Sequence, residues 1–128
     1  MRKYSLFFLP LLVGVAISAC DNTTPPEDYL NAADCTTIVD STNTYTKSVK
    51  AILDNNCAFS GCHNAATKKE GVNLEGYAAS KNTFSTNDLV LCSIHHGTGC
   101  EPMPKGGSKL SDSDIKKIDC WAKNGYKE

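Results

Sequence analysis

The stretch "NNCAFSGCHN", residues 55–64, contains two cysteines separated by four residues and a histidine directly after the second cysteine. Two cysteines at short spacing can form a disulfide. Together with a histidine they can also bind zinc or attach a c-type haem. The haem signature is C-x-x-C-H, so Cys57, Cys62 and His63 would form a widened version of it. Ser60-Gly61 supplies the flexibility that the two extra residues need. The rest of the chain has to discriminate among these three kinds of site.

The beginning of the chain has the pattern of an export signal. Arg2 and Lys3 precede an apolar run, residues 4–19, that is too short and wrongly flanked for a stable membrane span. Because the run ends in Ile-Ser-Ala before Cys20, it resembles a bacterial lipobox. We expect residues 1–20 to be a lipoprotein signal peptide ending at an acylated Cys20, although an ordinary secretory signal is the alternative. The lipid would anchor the protein at the periplasmic side of a bacterial membrane or at the cell surface.

Export changes the interpretation of the cysteines. Of the seven cysteines, all but Cys20 lie in the mature domain, and an even number in an oxidising compartment suggests that each is used covalently. Residues 21–34 contain two prolines and four acidic residues and are predicted to be a flexible tether. This leaves residues 35–128 as one small domain, whose hydrophobic core is marginal without disulfides or a buried cofactor.

Apolar periodicity predicts an all-α domain of three to four short helices with long loops. The first helix should run into Cys57, with Thr46 or Ser48 as its cap, and a short one is expected at residues 76–81. A capping box of Ser85 and Asp88 predicts the start of the next helix. The last helix should begin at the N-cap Ser111. One apolar face is predicted for this last helix, formed by Ile115, Ile118, Trp121 and Ala122.

Met103 is the only methionine of the mature chain, and it lies in the loop "EPMPKGG". The prolines on either side of it restrict the backbone, whereas a methionine that merely fills a core normally lies in a helix or strand. A haem iron bound by His63 needs a second axial ligand, and a thioether in that position raises the reduction potential. Met103 is our candidate for this ligand. His95 and His96 are the alternatives, although a helix C-terminus would also suit their charge.

From about Cys35 to Tyr126 the chain resembles the small single-haem class I cytochrome c domains of bacterial lipoproteins, of the kind common in the Bacteroidetes. The similar segments are "SVKAILDNNC…CHN", "GVNLEGY", "SIHHGTG", "MPKGGSKLSDSDIKKI" and "WAKNG". The resemblance implies an all-α cytochrome c-like fold around one haem c. It also implies that Cys57 and Cys62 carry the haem, with His63 as proximal ligand and Met103 as distal ligand. The wide cysteine spacing and the additional cysteines depart from the family pattern.

The four remaining cysteines allow three pairings. Cys120 falls opposite the apolar face of the last helix, so we expect it on the outer side, away from the core and bonded to Cys35 in a segment that crosses there. Cys92 and Cys100 flank a short loop that contains glycine, just upstream of the Met103 loop. We expect the second disulfide to close that loop.

These expectations describe a one-electron carrier that is not an enzyme, because both axial positions of the iron are filled. Its partners would be redox proteins, while a net charge of −1 without a basic patch gives no reason to expect nucleic acid. One alternative is a lipoprotein without haem, either disulfide-rich or zinc-binding. In the zinc site, His95, His96 or Cys100 would complete the half that Cys57 and Cys62 form. Another is a peroxidase-like enzyme in which Met103 leaves the iron. The side chains expected to cover the porphyrin are Leu74, Tyr77, Phe84 and Ile94.

Overall fold

The structure, a computed structural model, describes residues 28–128. All regular secondary structure in this range is helical, which confirms the all-α prediction. The helices are α1 (Tyr29–Ala32), α2 (Lys50–Asn56), α3 (Tyr77–Thr86), α4 (Leu89–His95) and α5 (Asp112–Lys123). A π-helical turn, Tyr45–Val49, leads into α2, and a 3-10 turn, Lys69–Gly71, lies between α2 and α3.

None of the helices within residues 28–128 is both long and apolar enough to cross a membrane. The predicted signal peptide, with Arg2, Lys3 and the predicted acylation site Cys20, lies outside the described residues, as does the first half of the predicted tether, residues 21–27.

Helix α5 begins where the sequence predicts. The Ser111 hydroxyl accepts a hydrogen bond from the Asp114 backbone N–H at 3.1 Å and donates one to the Asp114 carboxylate at 2.9 Å. These bonds satisfy a backbone donor that the first turn would otherwise leave unpaired. The predicted apolar face is buried: Ile115, Ile118, Trp121 and Ala122.

Trp121 is fully buried at the centre of the core. The rings of Phe84 and Tyr126 meet it edge-on, with centroids 5.7 and 5.1 Å away, and its indole N–H donates to the Lys127 carbonyl at 2.7 Å. Edge-to-face contacts and a satisfied indole N–H are the usual requirements for burying this side chain. The core thereby joins α5 to the π-turn, α2, α3 and α4 through Tyr45, Val49, Ile52, Leu53, Phe84 and Ile94.

The starts of two helices differ from the predictions. Ser85 is not an N-cap: α3 continues through it, and its hydroxyl donates to the Asn82 carbonyl at 3.2 Å. Asp88 precedes α4 without a capping side-chain bond. At the π-turn the capping hydroxyl belongs to Thr44 rather than to Thr46 or Ser48. The π-turn thus begins earlier, α3 runs longer and α4 begins later than the local signals indicate. The buried Phe84 packs the last turns of α3 against the core.

The segment that precedes the first cysteine packs on the domain, although its composition predicts a tether. The Tyr29 ring stacks on His95 with centroids 4.2 Å apart, and the Lys123 ammonium donates to the Ala33 carbonyl at 2.7 Å. Gly97 permits the close approach of Tyr29, since a β-carbon at this position would lie 2.1 Å from the tyrosine oxygen. Residues 29–34 are thus part of the folded unit together with α4 and α5.

Both disulfides have the predicted pairing, Cys35–Cys120 and Cys92–Cys100. The first joins the N-terminal segment to α5, and the second joins α4 to the loop that carries Met103. The prediction that Cys120 lies on the outer side of α5 is wrong, because Cys120 is fully buried. The apolar face of α5 packs on the core as expected, but the segment around α1 covers the opposite side of the helix.

Candidate functional site

Cys57, Cys62, His63 and Met103 all line one cavity of about 580 Å³. A volume of this size lies within the range of small-molecule and cofactor sites, roughly 300–1,000 Å³. The structure therefore brings together the four residues that the sequence nominates as haem ligands. Three of them come from the turn after α2, and the fourth comes from the loop before α5.

The turn after α2 is closed by backbone hydrogen bonds. The His63 N–H donates to the Cys57 carbonyl at 3.0 Å, and the Cys62 N–H donates to the Phe59 carbonyl at 3.1 Å. Gly61 has φ = +84°, a left-handed conformation that glycine adopts without steric cost. The two extra residues of the motif are thus absorbed in a tight turn, and the two cysteines remain on one cavity.

The chain beyond His63 ties this turn to the following loop. The Leu74 N–H donates to the His63 carbonyl at 2.8 Å, and the Lys69 N–H donates to the Cys62 carbonyl at 3.1 Å. Since Leu74 is buried in the core, these bonds attach the turn to the core by its backbone. The side chains of Cys62 and His63 are left for the cavity.

Cys57 and Cys62 are free thiols, whereas the other four cysteines of residues 28–128 form disulfides. Cys57 is buried and Cys62 is half-buried. Burial raises the pKa of the Cys57 thiol to about 11, and the neighbouring Cys62 adds to the effect. A buried thiol of this kind stays protonated at neutral pH and is a poor nucleophile without activation.

The imidazole of His63 has one enclosed nitrogen. Its Nδ1 is buried and has no hydrogen-bond partner among the described residues. A buried polar atom without a partner is uncommon in folded proteins and usually indicates a group or a water that completes the site. Because Nδ1 is enclosed, Nε2 is the nitrogen through which this imidazole could bind a metal ion in the cavity.

Met103 is held by its backbone against α4. Its N–H donates to the Ser93 carbonyl at 3.0 Å, and its carbonyl accepts from His96 Nε2 at 3.0 Å. Cys92, on α4, is bonded to Cys100, three residues before Met103. The Met103 side of the cavity is therefore built on the C-terminal end of α4.

His95 faces away from this cavity. Its Nε2 lies 2.9 and 3.1 Å from the two carboxylate oxygens of Asp119, and it lines a separate cavity together with Tyr29. Burial raises the pKa of the Asp119 carboxyl, and the hydrogen bond from His95 offsets this only in part. The structure thus engages His95 with α1 and α5, and it engages His96 with the backbone of Met103.

The residues that a zinc site would need are not assembled. Within residues 28–128 no group of three His, Cys, Asp or Glu side chains is arranged to hold a metal ion. Cys100 is occupied by its disulfide, and His95 is paired with Asp119. Both of these candidate zinc ligands therefore have other partners.

The side chains expected to cover a porphyrin lie elsewhere. Leu74, Phe84 and Ile94 belong to the core around Trp121, and Tyr77 packs against that core. The cavity is instead bordered by Phe59 and Pro104 and by charged residues. The mouth carries both signs of charge, from Lys69, Glu70, Glu101 and Lys105.

The partners of the two histidines at the end of α4 carry no signal in the sequence. Tyr29 lies in a segment with the composition of a tether, and Asp119 interrupts the apolar pattern of α5, so neither carries a periodic signal. The role of His96 depends on a contact with a backbone carbonyl seven residues away. A sequence pattern contains no sign of such a bond, although the neighbouring prolines of the Met103 loop do indicate a loop under restraint.

Comparison of the chain with protein-family models, curated proteins and solved structures finds no match. The function is consequently argued from the residues and the geometry of the cavity.

Proposed function

We propose that this protein is a lipid-anchored, one-electron carrier with one haem c bound in the cavity. Cys57 and Cys62 would hold the haem through two thioether bonds, and His63 and Met103 would hold its iron. The observation that carries the proposal is that one cavity contains all four side chains, although Met103 is contributed by a distant loop.

The state of the cysteines supports this assignment. An exported protein with six cysteines would be expected to use all of them. Four form disulfides, and the two that stay free are those of the C-x4-C-H motif on the cavity. Thioether attachment would use this remaining pair and leave no free thiol in the domain.

The donor set also fits a haem iron. One imidazole and one thioether form the ligand pair of high-potential c-type sites. The enclosed Nδ1 of His63 leaves Nε2 as the coordinating atom, while Met103 is half-buried on the same cavity. No carboxylate or second histidine is needed to complete this set.

When bound, haem c would supply a ferric–ferrous couple. His63 and Met103 would both hold the iron, which would leave no position on it for a substrate and is the reason to expect no enzymatic activity. The turn at residues 57–63 and the Met103 loop would limit the access of water. The mixed charges at the mouth, including the Lys105–Glu101 pair at 3.0 Å, would give only weak steering of a partner.

The proposed location depends on residues outside the described range. Acylation at Cys20 would place the domain at a bacterial membrane surface, facing the periplasm or the exterior, where redox proteins can donate and accept electrons. The lipid would anchor the protein without a membrane span.

The decisive experiment is expression of the full chain with a c-type haem attachment system, followed by intact mass and visible spectroscopy. We expect the mass of one haem, two disulfides and sharp bands in the reduced state. The matched control is the double variant Cys57→Ala/Cys62→Ala, which should keep both disulfides and lose covalent haem. Wild-type protein that is colourless would support a cofactor-free lipoprotein, and a high-spin ferric spectrum would support the peroxidase-like alternative.

Replacement of the distal ligand gives a specific prediction. Met103→Ala should lower the reduction potential and let exogenous imidazole bind the ferric iron, because thioether ligation raises the potential and fills the sixth position. Potentiometric titration and imidazole titration measure both effects. An unchanged spectrum in this variant would mean that another side chain is the ligand.

A further inference from the structure

The end of α4 holds Met103 on both sides of its α-carbon. The Met103 N–H donates to the Ser93 carbonyl, and the Met103 carbonyl accepts from His96 Nε2 at 3.0 Å. Because these two bonds lie in successive peptide planes, they restrain the position of the α-carbon from which the thioether extends. The Cys92–Cys100 disulfide ties the same loop to the same helix a few residues earlier.

His96 is placed for this contact by an unusual backbone conformation. It ends α4 in the left-handed region, with φ = +56°, which is uncommon for residues other than glycine but is tolerated by histidine, asparagine and aspartate. Its N–H donates to the Ser93 carbonyl at 3.2 Å. Since a carbonyl can only accept, His96 Nε2 must carry the proton in this hydrogen bond.

We infer that His96 is a positioning residue for the distal ligand: it holds the Met103 backbone so that the thioether reaches the iron. This inference rests on the proposed function, in which Met103 is the axial ligand. His96 is exposed, so its side chain does not contribute to the core. The neighbouring His95 has a different task, because it pairs with Asp119 and stacks on Tyr29.

In the haem-loaded protein, this contact would favour the bound over the detached Met103 thioether. An exogenous ligand binds the iron only when Met103 is detached, so its apparent affinity reports the detached fraction. Loss of one ordinary hydrogen bond should increase that fraction, and the affinity for imidazole, roughly two- to tenfold. The sulfur-to-iron absorption band of the ferric protein should weaken at the same time.

The test compares two substitutions at one position in the full haem-loaded protein. His96→Asn keeps a residue that tolerates the left-handed conformation, but its side chain is too short to reach the Met103 carbonyl. His96→Gln restores an N–H donor at greater reach. Thr98→Ala, at an exposed position of the same loop, is the control and should leave the spectrum and the imidazole affinity unchanged.

The expected result is a weaker sulfur-to-iron band and tighter imidazole binding in His96→Asn, with at least partial return in His96→Gln. Covalent haem and the reduced-state bands should persist in all variants. If His96→Asn has the wild-type band and imidazole affinity, His96 does not position Met103. Equal weakening in both variants would mean that a restored N–H donor does not restore the position of Met103, and would also overturn the inference. Wild-type protein without haem would instead reject the proposed function itself, and this inference with it.

Discussion

Cys57 and Cys62 belong to one motif but have different surroundings. Cys57 follows directly on α2, donates its N–H to the Leu53 carbonyl at 2.8 Å and is buried. Cys62 sits after the turn at Gly61 and is half-buried. We expect Cys57 to be the less reactive of the two, because the thiolate is the reactive form of cysteine and burial disfavours it.

This difference predicts the alkylation behaviour of protein produced without haem. With a pKa of about 11, only about one Cys57 thiol in a thousand is ionised at pH 8. We expect iodoacetamide to modify Cys57 more slowly than Cys62 in the native state, and the Cys57 rate to rise about tenfold per pH unit below 11. Peptide mass spectrometry after timed quenching measures both rates.

The raised pKa of Cys57 also determines how the free energy of unfolding depends on pH. Because the folded state binds the Cys57 proton more tightly than an unfolded chain with a pKa near 9.0, the free energy of unfolding should fall as pH rises from about 9 to about 11.

The control for the alkylation experiment is protein in denaturant, where the two cysteines should react alike. Equal rates in native protein would contradict the burial of Cys57.

At the scale of single elements, α5 is the helix with the strongest local signals. It has a hydroxyl N-cap, acidic residues in its first turn, an apolar face and a lysine in its last turn. Each of these signals involves residues close together in the chain, so each can be predicted from the sequence. Helix α4 lacks such a cap, and its limits follow from contacts with α3, α5 and the Met103 loop instead.

The cap of α5 predicts an unequal effect of two serine substitutions. Ser111→Ala should lower the free energy of unfolding by about 0.5–2 kcal/mol, because the Asp114 N–H loses its acceptor. Ser113→Ala, at an exposed position in the first turn, is the matched control and should change stability by less than about 0.5 kcal/mol. Urea denaturation at constant m-value measures both, and equal losses would argue against the cap.

At the scale of the whole molecule, the two disulfides span very different lengths of chain. Cys35 and Cys120 are 85 residues apart, whereas Cys92 and Cys100 are 8 apart. The first encloses nearly the entire domain and attaches the segment around α1 to the buried side of α5. The second restrains only the loop that leads to Met103.

Chain-entropy arguments predict different costs for removing these bonds. The pair Cys35→Ala/Cys120→Ala should lose roughly 4–5 kcal/mol, and Cys92→Ala/Cys100→Ala roughly 2–3 kcal/mol. The burial of Cys120 adds a cavity cost to the first pair. Denaturation under non-reducing conditions measures the difference, and a non-reducing tryptic map is the control. A larger loss from the shorter disulfide, or a Cys35–Cys92 peptide, would contradict the arrangement.

The sequence by itself determined what depends on neighbours along the chain: the all-α class, the start and apolar face of α5, and the turn that keeps Cys57 and Cys62 close. It also nominated Met103, since two prolines beside a lone methionine form a local pattern. Helix periodicity and capping depend on residues only a few positions apart, so they can be recognised in the sequence.

Only the tertiary structure decided which side of α5 is covered, where α3 ends and what each histidine contacts. Cys120 is buried because a segment with the composition of a tether packs on it, and His95 and His96 separate because one meets Asp119 and the other meets the Met103 carbonyl. These outcomes depend on burial and hydrogen bonds between residues distant in sequence. Such long-range contacts stabilise the structure only once the chain has folded around its core, and they can then outweigh the local helix and turn preferences.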